Sequence, residues 1–156
     1  MQDAAYTVIV PNVAPLSEPL SRPPVVGYLF DSFTDPTPYR ATIAIATDEV
    51  FERKIDMVHC HVSQMYEWLP YNAGILDQVP DDDAGRRAMT ARNLRTRFGQ
   101  VADTCREALV RCYGERRGKA VQTAETIMVS PYGRGVGEDD VPRLFPFLPK
   151  RRKYLS

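Results

Sequence analysis

Residues 41–69 read ATIAIATDEVFERKIDMVHCHVSQMYEWL and run from a short apolar strand into a long amphipathic helix. The run 41–46 predicts a strand that is covered on both faces. Thr47 and Asp48 predict the N-terminus of a helix. Pro70 is predicted to end that helix. The apolar side chains of this helix recur at spacings of four and three, which predicts one continuous buried stripe. Its members are Phe51, Ile55, Val58, Val62, Met65 and Leu69.

A second amphipathic helix is predicted from about Arg86 to Tyr113, with Gly114 as its C-cap. Its apolar stripe has the same spacing and consists of Leu94, Phe98, Val101, Cys105, Ala108 and Cys112. Shorter runs predict strands at 25–30 and 124–130 and a helix tail at 2–10.

These few strands cannot close a domain by themselves. Strands that are apolar on both faces belong inside a larger, mostly parallel sheet covered by helices. The chain also opens inside an apparent helix that has no cap before it. We therefore interpret residues 1–156 as one apparently incomplete α/β domain, with few parallel strands and two long amphipathic helices.

The composition excludes several classes of protein. Lys plus Arg and Asp plus Glu each number 20, so the net charge is zero, which disfavours a polyanion binder or a self-repelling disordered chain. No apolar run reaches the roughly 18 residues of a membrane helix, and no signal peptide is expected. Three cysteines are too few for a disulfide framework, so a cytoplasmic location is expected. The arginines of the second helix fall on several faces, which disfavours nucleic-acid binding.

The residue spacing gives little support for a metal site or a catalytic triad within the chain. On a helix, His59 and His61 would lie about 200° apart and could not hold one ion. Cys105 and Cys112 share a face but lie about 10 Å apart along the axis, too far for a disulfide or a shared zinc ion. No nucleophile-elbow or phosphate-binding glycine motif occurs. We therefore predict no catalytic and no metal-ligating residues here, and we interpret the cysteines as small core residues.

The run Lys54–Tyr71, KIDMVHCHVSQMYEWLPY, resembles a segment of the PIG-L/LmbE family of de-N-acetylases. In that family a helix carries a lysine followed by His-x-Ser/Thr-Gln, which matches Lys54, His61, Ser63 and Gln64. Further short matches follow in the same order along nearly the whole chain. They are Asp3-Ala4-Ala5, Val10-Pro11-Asn12, Tyr28-Leu29-Phe30-Asp31 before Pro36 and Pro38, Ala124-Glu125, and Tyr132-Gly133-Arg134.

The resemblance implies a Rossmann-like, three-layer α/β fold and a zinc-dependent hydrolase that deacetylates N-acetylglucosamine-type amides. The family takes its zinc ligands and general base from an Ala-His-Pro-Asp-Asp-Glu motif and a His-Pro-Asp-His motif, and neither string occurs here. The chain therefore resembles the C-terminal half of such an enzyme, inactive alone, with the zinc donors outside it. The alternative is a non-catalytic binding or interaction module that retains the scaffold.

The resemblance also suggests substrate-contacting residues: His61, Gln64, Glu125 and Arg134. From the residues themselves other roles stay open. His61 and Gln64 would also suit buried polar links between helix and loop. Glu125 and Arg134 would also suit ion pairs with each other or with neighbours. Tyr66, Glu67 and Trp68 suit a pocket rim, an interface or the core.

A missing half of the sheet would leave the apolar runs 25–30 and 41–46 uncovered, beside an unpaired strand edge. Such edges and patches favour association. We therefore expect the isolated chain to oligomerise, or to bind an N-terminal half as its partner.

Overall fold

Helices far outweigh strands in the computed structural model, which describes residues 2–151 and 153–155. The α-helices are α1 (Gln2–Thr7), α2 (Phe51–His59), α3 (Leu69–Asn72), α4 (Asp83–Thr104), α5 (Arg106–Tyr113), α6 (Glu115–Ala120) and α7 (Val141–Leu144). A π-helix covers Ser63–Trp68, and 3₁₀ helices cover Asp48–Val50, Leu76–Gln78 and Glu138–Asp140. The strands are β1 (Gly27–Leu29), β2 (Ile43–Ala46) and β3 (Ala124–Val129). The expected mixed α/β class is confirmed.

The three strands form one antiparallel sheet in the order β1-β3-β2. Gly27 lies opposite Val129, and Leu29 lies opposite Ile127. The expectation of parallel strands is therefore wrong. It rested on strands that read as apolar on both faces, but helices and loops can cover both faces of an antiparallel strand as well. Ile43, for example, is fully buried although β2 belongs to an antiparallel sheet.

Strand β1 is shorter and more exposed than its apolar sequence predicts. It has three residues, and Leu29 keeps 72% of its surface exposed. β1 lies at the edge of the sheet, and no strand within residues 2–151 and 153–155 pairs with its outer side. An apolar run therefore does not identify a central strand by itself, because an edge strand can carry the same residues.

The first long helix predicted from the sequence is broken, and its stripe is not continuous. α2 ends at His59, and Phe51 and Ile55 are buried as predicted, but Val62 and Leu69 are exposed. The π-helix explains the difference. There the amide of Leu69 donates to the carbonyl of Gln64, five residues earlier. This bonding changes the angle between successive residues, so side chains at spacings of four and three no longer lie on one face of the helix. Pro70 lies in the first turn of α3 and does not end the helical segment.

The second predicted helix is present as two consecutive helices, α4 and α5. They are separated at Cys105, where the backbone leaves the helical region with φ −105° and ψ 26°. All six residues of the predicted stripe are nonetheless buried or half-buried. Gly114 follows α5 with φ 86°, so the predicted C-cap is confirmed.

The chain divides into two compact units. The first comprises Met1–Ile45, Cys105–Ala120 and Glu125–Ser156, and the second comprises Ala46–Thr104 and Val121–Ala124. Among the described residues, no helix is both long and apolar enough to span a bilayer.

The core of the first unit gathers side chains from distant parts of the sequence: Ile43, Cys112, Val141, Leu148 and Tyr154. Backbone-directed hydrogen bonds hold its segments together. The Arg111 guanidinium donates to the carbonyl of Ala41 at 2.9 Å and to that of Tyr154 at 3.4 Å. The Glu138 carboxylate accepts the amides of Tyr154 and Leu155, at 2.7 and 3.0 Å.

Helices α5 and α6 of the first unit approach each other at a glycine. Gly118 is buried, and a Cβ placed on it would lie 2.6 Å from the Cα of Val110 and 2.7 Å from the carbonyl oxygen of Leu109. Both are backbone atoms. The close approach of these helices therefore requires glycine at 118.

The core of the second unit lies between α2 and α4. Phe51 and Ile55 of α2 pack with Ala91 and Leu94 of α4. Asp48, predicted as part of a helix cap, makes a different contact. Its carboxylate accepts the amide of Thr123 at 2.7 Å and the hydroxyl of the same residue at 2.8 Å. This carboxylate thus joins the segment 121–124 to the rest of the second unit.

Candidate functional site

A chain of hydrogen bonds in the second unit joins four side chains around His59. Its Nδ1 lies 2.6 Å from the hydroxyl of Tyr66, and its Nε2 lies 3.1 Å from a carboxylate oxygen of Asp83. The Tyr66 hydroxyl lies 2.6 Å from the Oγ1 of Thr90. We call this set, Asp83-His59-Tyr66-Thr90, the histidine network.

Three helical segments position the histidine network. His59 is the last residue of α2, Tyr66 lies in the π-helix, and α4 supplies Asp83 and Thr90. Tyr66 and Thr90 are buried, whereas Asp83 is exposed. The network therefore runs from the surface into the core of this unit, and the π-helix is the element that carries Tyr66 inward.

The acceptors and donors of the histidine network impose one proton arrangement when His59 is neutral. Nε2–H then donates to the Asp83 carboxylate, which can only accept. Nδ1 is left as an acceptor for the hydroxyl of Tyr66, and that oxygen accepts in turn from Thr90. Protonation of His59 would require Nδ1 to donate, so Tyr66 would then have to donate to Thr90. The Tyr66 hydroxyl lies between His59 and Thr90, so it suits the role of holding the His59 ring in place.

Tyr66→Phe is expected to lower the free energy of unfolding by about 2 kcal/mol, because it leaves the buried Thr90 hydroxyl and His59 Nδ1 without their partner. Urea unfolding measures the loss. Tyr71→Phe is the matched control, since Tyr71 is 74% exposed and its change should cost less than about 0.5 kcal/mol. Adding Thr90→Val to Tyr66→Phe should recover part of the loss. Equal stabilities for Tyr66→Phe and wild type would contradict the network's structural role.

The residues of the His-x-Ser-Gln motif lie on the surface. His61, Ser63 and Gln64 are all exposed, and Trp68 in the same π-helix keeps 56% of its surface exposed. We call these four residues the motif surface. The interpretation of His61 and Gln64 as buried polar links is therefore wrong. π-helical turns are frequent at functional sites, which makes the motif surface a candidate for ligand contact.

Glu125 and Arg134 belong to the first unit. Glu125 is half-buried in β3. The Arg134 guanidinium donates to the Asp140 carboxylate at 3.1 Å, and Arg143 donates to the same carboxylate at 2.9 Å. The Asp140 carboxylate also accepts the amide of Gly137 at 3.1 Å. The hydrogen bonds from Arg143, Gly137 and Arg134, in that order of effect, lower the pKa of Asp140 to about 2. Arg134 thus pairs with a neighbouring carboxylate, one of the roles left open by the sequence.

The described residues do not fit a zinc site. Within 2–151 and 153–155, no group of three or more His, Cys, Asp or Glu side chains could hold a metal ion. The three cysteines are free thiols. Cys105 and Cys112 are buried as predicted, and burial raises the pKa of both thiols, but Cys60 is exposed and is not a core residue.

Sequence reasoning missed Asp83 and Thr90. The only signal for Asp83 was its place in the acidic run 81–83 at the start of a helix. Thr90 had none, because the pairing of α2 with α4 is not visible in the spacing of either helix. Comparison with protein families, with curated proteins and with solved structures finds no match to this chain.

Proposed function

We propose that this chain supplies the C-terminal, substrate-binding part of a hydrolase related to the PIG-L/LmbE de-N-acetylases. The observation that carries the proposal is the exposure of the motif surface: His61, Ser63 and Gln64, which match the His-x-Ser-Gln part of the family motif, face solvent. A motif that served only packing would be buried. The buried Tyr66 of the same π-helix fixes the segment that presents His61 and Gln64.

The chemistry of the motif surface suits an acetamido sugar. The Gln64 side chain has both a donor and an acceptor for an amide group, and the His61 imidazole adds one of each when neutral. The exposed indole of Trp68 offers an apolar face to a sugar ring. Separately, within the first unit, we propose that Glu125 and Arg134 contact substrate in the complete enzyme.

The zinc ion and its ligands belong, in this proposal, to polypeptide other than the described residues, since these contain no fitting donor set. An N-terminal half would supply them as a partner. No step of a reaction is assigned to this chain alone, and we propose that it binds without hydrolysing. The second candidate function follows directly: a non-catalytic binding module that uses the same motif surface. The exposure of Trp68 favours a binding role in both cases.

Binding is tested by the fluorescence of Trp68, the single tryptophan of the chain. Titration with methyl N-acetyl-β-glucosaminide is expected to give a saturable change in emission, whereas methyl β-glucoside should give none. His61→Ala and Gln64→Ala should each weaken binding by about 10-fold, the effect of one lost polar contact. Gln122→Ala, a change at an exposed glutamine that lies outside the motif in the sequence, is the matched control and should bind as wild type. Equal responses to both sugars would contradict the proposal.

The two candidate functions are distinguished by complementation. Co-expression with a family N-terminal segment that carries both missing motifs is expected to give a complex that hydrolyses the acetamido sugar. The activity should be abolished by a chelator and reduced by His61→Ala. Sugar binding without complementation would support the binding module, and absence of both would overturn both candidates.

The free thiols support a proposed location in a reducing compartment. Three unpaired cysteines, one of them exposed, are typical of cytoplasmic proteins rather than secreted ones. We therefore propose a cytoplasmic protein.

A further inference from the structure

The outer edge of β1 presents backbone groups that no described residue pairs with. The amide of Ser130 donates to the carbonyl of Val26 at 2.8 Å, so residues 26 and 130 form a hydrogen-bonded pair. Such pairs alternate along an antiparallel ladder. The amide and carbonyl of Tyr28 therefore face β3, and those of Gly27 and Leu29 face away from it. An open edge of this kind is a template for another strand.

A groove lies beside this edge, with a volume of about 420 Å³. Its lining is mainly aromatic and apolar and includes Tyr28, Leu29, Phe33, Tyr39 and Met128. Leu29 and Phe33 are 72% and 74% exposed. Peptide strands that join a sheet edge gain affinity from the backbone and specificity from such side-chain pockets.

The charges that flank β1 identify the strand that fits. Arg22 precedes the strand, and Asp31 and Asp35 follow it, and all three are exposed. A second copy in antiparallel orientation brings Arg22 of each chain toward the acidic end of the other. A parallel copy would bring like charges together. The edge is therefore complementary to itself in the antiparallel sense.

We propose that β1 pairs with β1 of a second copy of this chain, antiparallel across a twofold axis. Gly27 of each copy lies opposite Leu29 of the other, and each amide of these residues donates to the opposing carbonyl. The four outward groups of each strand are then satisfied by four hydrogen bonds. Tyr28 lies opposite Tyr28 of the second copy, on the face of the sheet that also carries Met128 and the groove. The site lies wholly in the first unit and is independent of the proposed function.

Leu29→Pro tests the pairing selectively. Proline removes only the outward amide of residue 29 and leaves the ladder to β3 intact, which is the setting in which edge strands accept proline. Wild type is expected to sediment as a concentration-dependent dimer. Leu29→Pro should weaken dimerisation roughly 30-fold, because two of the four hydrogen bonds are lost. Leu29→Ala keeps the amide and should weaken it by less.

A charge exchange tests the orientation without touching the strand. Arg22→Glu and Asp35→Arg should each weaken the dimer about 5-fold at low salt, and the double variant should restore it. If Leu29→Pro loses its near-ultraviolet circular dichroism, the variant has not folded, and the two charge variants then test the dimer in its place. A chain that stays monomeric at all concentrations overturns the proposal, even if it captures a strand of another protein. A dimer insensitive to both sets of variants also overturns it.

Discussion

Gly118→Ala is expected to lower the free energy of unfolding by about 2 kcal/mol. The added methyl group would lie 2.6 to 2.7 Å from three backbone atoms of α5, the Cα and amide nitrogen of Val110 and the carbonyl oxygen of Leu109. Backbone atoms cannot rotate away as a side-chain end can, so α5 and α6 must separate. Alanine gains up to about 1 kcal/mol in helix propensity, but the cost of overpacking exceeds it. Thermal unfolding followed by circular dichroism measures the change, expected as a fall of roughly 5 °C.

Gly99→Ala is the matched control for this prediction. Gly99 also lies inside a helix, α4, but of the described atoms a Cβ there would meet only the carbonyl oxygen of Gln122, at an ordinary contact distance of 3.6 Å. The propensity gain should therefore prevail, and the variant should be more stable by about 0.5 kcal/mol. Opposite signs for the two substitutions are the expected outcome. A neutral Gly118→Ala would show that the two helices are not held at this separation.

Tyr154→Ala is expected to have a still larger effect, about 3 to 4 kcal/mol of lost stability. Tyr154 is only 2% exposed and packs in the core of the first unit with Ile43, Cys112 and Val141. Its hydroxyl donates to the carbonyl of Pro149 at 2.9 Å and accepts the amide of Arg151 at 3.0 Å. Truncation thus removes a buried ring and leaves two backbone groups without a partner. Urea unfolding of the full chain measures the loss.

Two further variants separate the contributions of the ring and the hydroxyl. Tyr154→Phe keeps the ring and should cost about 1 kcal/mol. Tyr6→Ala makes the same truncation at a residue that is 69% exposed, and it should cost less than about 0.5 kcal/mol. If Tyr154→Ala were no worse than Tyr6→Ala, the segment around Tyr154 would not be packed on the core.

Local signals in the sequence were sufficient where one residue type decides the structure. Gly114 ends α5 because its φ of 86° is open to glycine and strained for other residues. The strands at 43–46 and 124–129 lie within the predicted runs. The stripe from Leu94 to Cys112 is buried because α4 and α5 both keep the α-helical period on either side of Cys105.

Features that depend on long-range packing could not be predicted. The π-helix at Ser63–Trp68 has no signal in residue spacing, since its apolar residues continue the α-helical pattern. Tyr66 is buried there in place of the predicted Val62. The order of the strands was equally hidden, because β3 pairs with both earlier strands across about 80 to 100 residues. Short helices such as α6 and α7 were not predicted, because each has too few residues to show the helical spacing of apolar side chains.

The candidate site was predicted in part. The motif resemblance selected His61 and Gln64, and the structure places both on the surface. It did not select His59, whose partners Tyr66 and Asp83 come from two other helical segments. A histidine at the end of one helix gives no indication of which side chain another helix will bring to it. The motif surface was thus accessible from the sequence, and the network that supports it was not.

Among the described residues, Arg111 links the strand region and the segment around Tyr154 through two main-chain carbonyls. A guanidinium that donates to a main-chain carbonyl bonds a group that every residue has, so the bond does not depend on which side chain that residue carries. Exchange of Ala41 for another small residue leaves that bond intact, whereas exchange of Arg111 removes both. We therefore expect related sequences to vary more at position 41 than at position 111, although the two residues are joined by the same bond.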